Sequence, residues 1–293
     1  MTTIAIAGAG GALGRRTAEL ALESVDPQQL VLVSRDPSKL ADLAGRGAQT
    51  RAGDFDAPET LAAAFAGVER LLVISTDAVG RRAAQHQAAI DAAKAAGVRH
   101  VIYTSLPNPT PDHPTGPLAA DHLATEQALR ASGLAWTLLR NSLYTDLQLA
   151  SGGQAIASGQ LVTNAGDGLV AYVTRADCAA AAAAVLTQEG HENAAYDVTG
   201  PALVSQAELA AALSAASGTP VELVAVDDEA YTAGLVAAGV PEPMARVYAG
   251  FGTAIRQGLL ETQTDVVQRL TGRAPTSVEE FLAANRDALL AAA

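Results

Sequence analysis

Through the first half of the chain, short apolar runs alternate with longer segments of helical periodicity. The apolar runs fall at Thr3–Ala7, Leu30–Ser34, Gln49–Ala52, Arg70–Ile74, His100–Thr104 and Trp136–Arg140. Most are continuous rather than alternating, which predicts strands covered on both faces. The segments between them predict helices over Gly11–Ser24, Pro37–Ala44, Pro58–Ala66, Gly80–Ala96 and Leu118–Ser132. Gly97 and Gly133 stand where helix C-terminal caps belong. Strands that alternate with helices in this way predict an α/β protein with a doubly wound parallel sheet.

The pattern changes after Leu147. Gly152–Gly168 is rich in Gly, Ser and Asn and reads as a hairpin or irregular lobe. Thr174–Thr187 reads as a helix and Ala195–Thr199 as a last strand that returns to the main sheet. Helices follow at Gln206–Ser217, Asp227–Ala238, Pro241–Gln257 and Val278–Ala292, the last opened by a Ser277/Glu280 capping box. The expected organisation is a sheet domain over 1–147, joined by 173–200, with a smaller, mainly helical lobe from 148–172 and 201–293.

The first strand runs straight into Gly8-Ala9-Gly10-Gly11-Ala12-Leu13-Gly14 and then a helix. A strand, a glycine-rich turn and a helix N-terminus form a pyrophosphate site. The glycines let the backbone turn and approach the phosphates, and the helix end offers free N–H groups. The sheet is therefore expected to be Rossmann-type, with Gly8, Gly10, Gly11, Ala12, Leu13 and Gly14 on the cofactor. Gly8, Gly11 and Gly14 fit G-x-x-G-x-x-G, and Leu13 breaks the G-x-G-x-x-G form.

The second strand ends in Ser34-Arg35-Asp36, with Lys39 a turn further on. An NAD site places a carboxylate here for the ribose 2′-hydroxyl, whereas an arginine grips a 2′-phosphate. Arg35, with Ser34 and Lys39, points to NADPH. Asp36 facing the ribose instead keeps NADH as the alternative donor. Asp54 and Phe55 follow the third strand and are expected at the adenine, unless Asp54 only caps the next helix. Ile74, Ser75 and Thr76 end the fourth strand and are expected beside the ribose and pyrophosphate, and Tyr103 on the fifth strand is counted with the cofactor residues.

The Tyr-x-x-x-Lys pair, in which lysine lowers the tyrosine pKa, is absent. Lys39 and Lys94 are the only lysines, and the helix where the pair would sit reads His122-Leu123-Ala124-Thr125-Glu126. An acceptor that needs little protein acid suits this chain better. A quinone becomes a resonance-stabilised hydroquinone anion that water can protonate. The candidate catalytic residues are Thr104 and Ser105, Asn141 and Tyr144, and His122 as a proton relay or, alternatively, a packed and satisfied imidazole. The proline-rich stretch Pro107–Pro117 either borders the site or is a stiff surface connection.

Composition narrows the classes further. In 293 residues 49% are hydrophobic, only 4% are aromatic, and the net charge is −12, which argues against nucleic-acid and anionic-membrane partners. Cys178 is the single cysteine, so no internal disulfide or cysteine metal cluster can form, and it reads as a small buried residue. The histidines show no ligand spacing, and neither metal nor flavin is expected. A strand at the N-terminus leaves no room for a signal peptide, and no apolar run is long enough to span a membrane, so a cytoplasmic location is expected.

Taken as a set, Gly8–Gly14, Ser34-Arg35-Asp36-Pro37, Gly53-Asp54, Ala95–Ser105, His122–Glu126 and Leu139–Tyr144 resemble the NmrA-like atypical short-chain dehydrogenases/reductases. Thr163–Gly168, Val173–Asp177 and Gly190–Asn193 extend the likeness over nearly the whole chain. Within that family it resembles the type 2 NAD(P)H:quinone oxidoreductases and the triphenylmethane reductases. The resemblance implies NADPH as donor, no bound flavin, cofactor roles for Gly8, Gly11, Gly14 and Arg35, and an active site near Asn141 and Tyr144. The chain departs at Ala9-Gly10, where relatives carry Ala-Thr. The expected function is hydride transfer from NADPH to a quinone or similar conjugated acceptor. An NADP(H)-binding redox sensor without turnover and a biosynthetic imine or enone reductase are the alternatives, and a homodimer is a candidate assembly.

Overall fold

The structure, a computed structural model, describes residues 2–293. The first half carries β1 (Ile4–Ala7), α1 (Ala12–Ala21), β2 (Leu30–Ser34), α2 (Ala41–Gly45), β3 (Gln49–Ala52), α3 (Leu61–Ala64), β4 (Arg70–Val73), α4 (Arg82–Ala95), β5 (His100–Ser105), α5 (Pro117–Ala131) and β6 (Ala135–Asn141). Then come α6 (Gln148–Ser158), β7 (Gln160–Thr163), β8 (Leu169–Val170), α7 (Arg175–Thr187), β9 (Ala194–Val198), β10 (Val204–Ser205), α8 (Gln206–Ser217) and β11 (Glu222–Ala225). Five helices finish the chain: α9 (Asp228–Ala237), α10 (Glu242–Arg256), α11 (Val266–Thr271), α12 (Val278–Ala284) and α13 (Arg286–Ala291).

Seven strands form one parallel sheet in the order β3-β2-β1-β4-β5-β6-β9. The order reverses beside β1, which opens a crevice at the carboxyl ends of β1 and β4. Both faces of the sheet are covered, as the continuous apolar strands require. On one face Ile4, Ile6, Leu30 and Leu32 pack with Ala18, Ala179, Ala182 and Val185 of α1 and α7. On the other, Ala5, Val31, Leu71 and Val101 pack with Leu61, Phe65, Ile90 and Leu129 from the α3, α4 and α5 side. Gly97 and Gly133 take the left-handed conformation after α4 and α5, at φ +80° and +81°. Cys178 is buried within α7.

A separate core joins Ile156, Leu161, Val170, Leu209, Leu213, Ile255, Leu282 and Leu289 in the C-terminal lobe. The expected irregular segment is regular. α6 occupies Gln148–Ser158, β7 pairs in parallel with β11, and β8 pairs antiparallel with β10. The glycines of α6 are packing positions rather than turns: a Cβ on Gly152 would stand 2.6 Å from Leu213 Cδ2. The helix expected over Val278–Ala292 is interrupted at Asn285, whose φ/ψ of −111°/23° leaves the α region. α11 was not expected, and its Val266 and Val267 pack into the core against α1 and α7 rather than into the lobe. The capping box of Ser277 and Glu280 is formed.

The layer between α4, α5 and the sheet carries buried histidine. His86 Nε2 accepts the Thr76 N–H, which leaves Nδ1–H to donate to Thr125 Oγ1 at 3.0 Å. Burial pushes its pKa from 6.5 down to about 3. The unfolded chain therefore takes up a proton between these values that the folded chain refuses. Stability contributed by neutral His86 is present above pH 6.5 and is lost as pH falls toward 3, by about 1.4 kcal/mol per pH unit. Denaturant unfolding between pH 6 and pH 4 should give a slope shallower by about that amount for His86→Gln than for the wild type. Equal slopes would remove His86 from the acid sensitivity of the fold.

Candidate active site

α1 begins directly over the glycine turn, and no side chain caps it. Gly8 stands at φ +93°, and its N–H and that of Ala9 both donate to Val33 O. Gly14 lies so close beneath the turn that a Cβ there would overlap Gly8 O and the Ala9 backbone. The first turn of α1 thus offers unclaimed N–H groups and the positive end of a helix dipole to the crevice. A Cβ on Gly10 would stand 2.8 Å from Ser34 Oγ. Glycine at this position leaves room for the Ser34 hydroxyl.

The crevice is a cleft of about 410 Å³. Gly8, Gly10, Gly11, Ser34, Arg35, Lys39, Asp54, Phe55, Ile74, Ser75 and Thr76 line it, all of them expected from the sequence. Gly53, Asp56, Asp77, Ala78, Arg81 and Gln85 also line it and were not expected. They come from the two loops after β3 and β4 and from the first turn of α4, segments without a recognisable motif. Ala12, Leu13 and Gly14 stand behind the turn rather than on the cleft wall.

At the end of β2, Asp36 is engaged with its own turn. Its carboxylate accepts the Ser38 N–H at 3.1 Å and the Ser38 hydroxyl at 2.5 Å. These two donors hold its pKa below the ordinary value. Ser34 Oγ accepts the Asp36 N–H. Arg35 and Lys39 stand at the cleft rim as the basic groups. Asp54 accepts the Asp56 N–H in an Asx turn, so it does not cap the following helix. Asp56 in turn accepts from Gln85 Nε2 at 2.8 Å.

The expected catalytic groups lie at the carboxyl ends of β5 and β6. Asn141 Nδ2 donates to Tyr144 Oη at 3.1 Å, and Asn141 Oδ1 is buried with no partner. The Tyr144 O–H is therefore available to donate outward. Burial pushes the Tyr144 pKa up, and the Arg175 guanidinium lies 5.1 Å from the ring centroid. Thr104 Oγ1 accepts the Ser75 N–H at 2.9 Å, which ties the end of β5 to the cleft wall.

Three expected residues have other tasks. Tyr103 is fully buried, away from the cleft lining, with its hydroxyl against His122 Nδ1 at 2.7 Å. Ser105 donates its hydroxyl to the buried carboxylate of Glu126 at 2.8 Å. Glu126 also receives Arg140 Nε and Nη2 at 2.9 and 2.7 Å, and Arg130 Nη1 at 3.1 Å. Serine at the end of β5 is thus tied to an ion pair that anchors β6. His122 is 5% exposed, with both ring nitrogens engaged, and burial pushes its pKa down to about 3. It is neutral near pH 7, and its single ring proton is held in a network that joins Arg82, His122 and Tyr103. The Pro107–Pro117 stretch reaches the lobe, where Asn108 Nδ2 donates to Leu259 O.

Fold and cleft together define a dinucleotide-binding α/β reductase scaffold. The chain belongs to the NAD(P)H-binding family, whose model matches residues 8–189. It is 39% identical over 277 residues to quinone oxidoreductase 2 of Escherichia coli, covering 94% of this chain and 96% of that protein. The crystal structure of that enzyme complexed with NADPH superposes with a TM-score of 0.92 over 96% of this chain and 99% of the other. The NAD(P)H azoreductase of Xenophilus azovorans is 34% identical over 99% of this chain and 100% of its own length. The Citrobacter sp. triphenylmethane reductase complexed with NADP(H) is 39% identical, with a TM-score of 0.86 over 97% of this chain and 99% of that one. Among the described residues no helix is long and apolar enough to cross a membrane, and no cluster of His, Cys, Asp or Glu could hold a metal ion.

Proposed function

We propose that this chain is an NADPH-dependent reductase of quinones and similar flat conjugated acceptors. The observation that carries the donor assignment is the end of β2, where Arg35 and Lys39 both line the cleft, while Asp36 beside them has its Oδ1 held by the Ser38 N–H and hydroxyl. A 2′-phosphate meets two cations there, against one carboxylate that keeps only Oδ2 free for a 2′-hydroxyl. The uncapped first turn of α1 takes the pyrophosphate. Ile74, Ser75 and Thr76 flank the ribose, and Phe55 walls the adenine beside Asp54. The bound NADPH supplies the hydride.

The protein residues then have modest tasks. Tyr144, kept protonated by burial and oriented by Asn141, donates a hydrogen bond to the acceptor oxygen. Asn141 Oδ1 offers an acceptor to a bound amide. Thr104 holds the β4–α4 loop through the Ser75 N–H. With His122 neutral and Ser105 engaged with Glu126, neither is placed to deliver a proton. A quinone tolerates this, because its two-electron reduced anion is stable until water protonates it.

The direct test follows absorbance loss of NADPH and of NADH with simple quinones, azo dyes and triarylmethane dyes. Turnover with NADPH preferred is the expected result. Cofactor binding without turnover on any acceptor would overturn it in favour of a redox sensor or a dedicated biosynthetic enzyme. Arg35→Ala should raise the NADPH Michaelis constant about tenfold to a hundredfold, the loss of one or two charge-assisted hydrogen bonds, and leave that for NADH nearly unchanged. An equal effect on both would remove Arg35 from the 2′-phosphate. Tyr144→Phe should lower kcat with quinones about tenfold or more at an unchanged melting temperature; unaltered kinetics would take Tyr144 out of the site.

A further inference from the structure

Arg82, the first residue of α4, belongs to no motif, and its role is not set by the fold alone. Its side chain is half-buried, and among the described residues it makes no ion pair. Its Nε–H is buried with no hydrogen-bond partner. Its Nη1 meets His122 Nε2 at 3.2 Å. A guanidinium only donates, so Nε2 is the acceptor and the imidazole proton sits on Nδ1, where it is donated to Tyr103 Oη. His122 therefore fixes the direction of Arg82 without neutralising it, and its low pKa keeps it uncharged.

The neighbouring carboxylates do not neutralise Arg82 by contact. Asp121 is turned to the start of α4, accepting the Gly80 N–H at 2.6 Å and the Ala83 N–H at 3.3 Å. Asp77 is exposed. Partly burying a cation without an ion-pair partner is costly, and the unpartnered Nε–H calls for an explanation. The location suits a ligand. Arg82 follows the β4–α4 loop, whose Thr76, Asp77, Ala78 and Arg81 line the cleft. Tyr103, Asp121, Asp77 and Tyr144 are the groups whose charge acts on Arg82. Arg82 rises on the α4–α5 side of the sheet, whereas Tyr144 packs with the α1–α7 core on the other side. Neither side chain is part of the cleft lining itself, but both follow the carboxyl ends of strands, on opposite faces of the sheet, the end at which an open α/β sheet binds its ligand.

We infer that Arg82, oriented by His122, stabilises negative charge on the acceptor oxygen during hydride transfer and biases the enzyme toward acceptors that become anions. This rests on the reductase reading proposed above. The hydride adds to a quinone ring carbon conjugated to a carbonyl, forming a C–H bond as the donor C–H bond of NADPH breaks and NADP+ is left. The C=C and C=O π electrons shift so that the carbonyl oxygen becomes an enolate anion. Water protonates that oxygen, and loss of the ring proton to solvent gives the aromatic hydroquinone. A guanidinium beside that oxygen favours the transition state. A triarylmethane dye instead starts as a carbocation. The hydride adds to its central carbon and cancels its charge, with no anion formed. The same guanidinium repels that acceptor. Arg82 is on this account a selector between two chemistries that similar scaffolds serve.

The experiment compares wild type, Arg82→Met and Arg82→Lys with a simple benzoquinone and with a cationic triarylmethane dye, both with saturating NADPH. For Arg82→Met, kcat/KM for the quinone should fall about tenfold to a hundredfold, while that for the dye rises. Arg82→Lys should recover part of the quinone rate. Parallel loss on both acceptors would overturn the inference and leave Arg82 a structural residue. A second readout is independent of turnover: absorbance titration of the protein–NADP+ complex with para-nitrophenolate, and with neutral para-nitroanisole. The wild type should bind the phenolate, and Arg82→Met should lose that binding about tenfold or more while binding the anisole equally. No phenolate binding by the wild type, or equal binding by both proteins, would overturn the inference. Wild-type protein that reduces neither acceptor would instead sink the reductase reading, and the phenolate titration alone would then decide whether Arg82 is an anion site.

Discussion

The close approach of α1 to the glycine turn is the constraint on which the rest of the molecule depends. Gly14 can lie beneath Gly8 only because neither side chain intervenes, and this fixes where the first turn of the helix points. An uncapped helix end leaves donors and positive potential unanswered. The packing of α1 and α7 on the sheet, with α11 added behind them, holds that end still. A surface helix with the same sequence would be capped by water, and its dipole would count for little. Packed here against the crevice, it is a preorganised anion site.

The opposite side of the cleft is built on a different principle. Asp121 from α5 accepts two N–H groups at the start of α4 and so caps it from a neighbouring helix. His86, Thr125, Tyr103 and His122 fill the layer beneath with neutral, directional hydrogen bonds. One end of this layer receives the Thr76 N–H at the cleft, and the other receives Arg82. Buried histidines of low pKa keep formal charge out of the layer, leaving Arg82 as the cation at its edge. Further along, Glu126 collects Ser105, Arg130 and Arg140. The four-residue spacing from His122 to Glu126 is the one that carries a tyrosine and a lysine in other short-chain reductases. Here both positions serve architecture, and the proposed chemistry falls to groups at the ends of β5 and β6.

The sheet was legible because burial on both faces writes itself into continuous apolar runs, and β2 was located residue for residue by it; the edge strand β3, polar and partly exposed, was located by its place in the alternation of strands and helices. The cleft wall was legible for a related reason. Its residues sit at the ends of strands, and a strand end can be counted. The lobe was less legible. Gly152 and Gly153 look like turn residues, but they are glycine because Leu213 and the backbone of Ala292 press on α6. A local pattern cannot separate a glycine that bends the chain from one that admits a neighbour. Asn285 likewise breaks a helix whose apolar period continues through it.

Ser105, His122 and Tyr103 show where sequence reasoning about sites meets its limit. Each is a chemically competent side chain near a strand end or on the right helix, and each is consumed by a partner distant in sequence: Glu126, Arg82 and His122 respectively. Competence is a property of residue type, whereas availability is a property of the completed hydrogen-bond network. Arg82 presents the converse. As one arginine among several at the surface of a predicted helix it carries no signal, and it becomes distinctive only when its surroundings are found to hold a neutral imidazole and carboxylates turned elsewhere. The groups that decide chemistry in such a scaffold are those left with unmet hydrogen-bonding capacity after folding is complete. In this chain the first turn of α1, Asn141 Oδ1, the Tyr144 hydroxyl and Arg82 keep such capacity, and the proposed function is built on them.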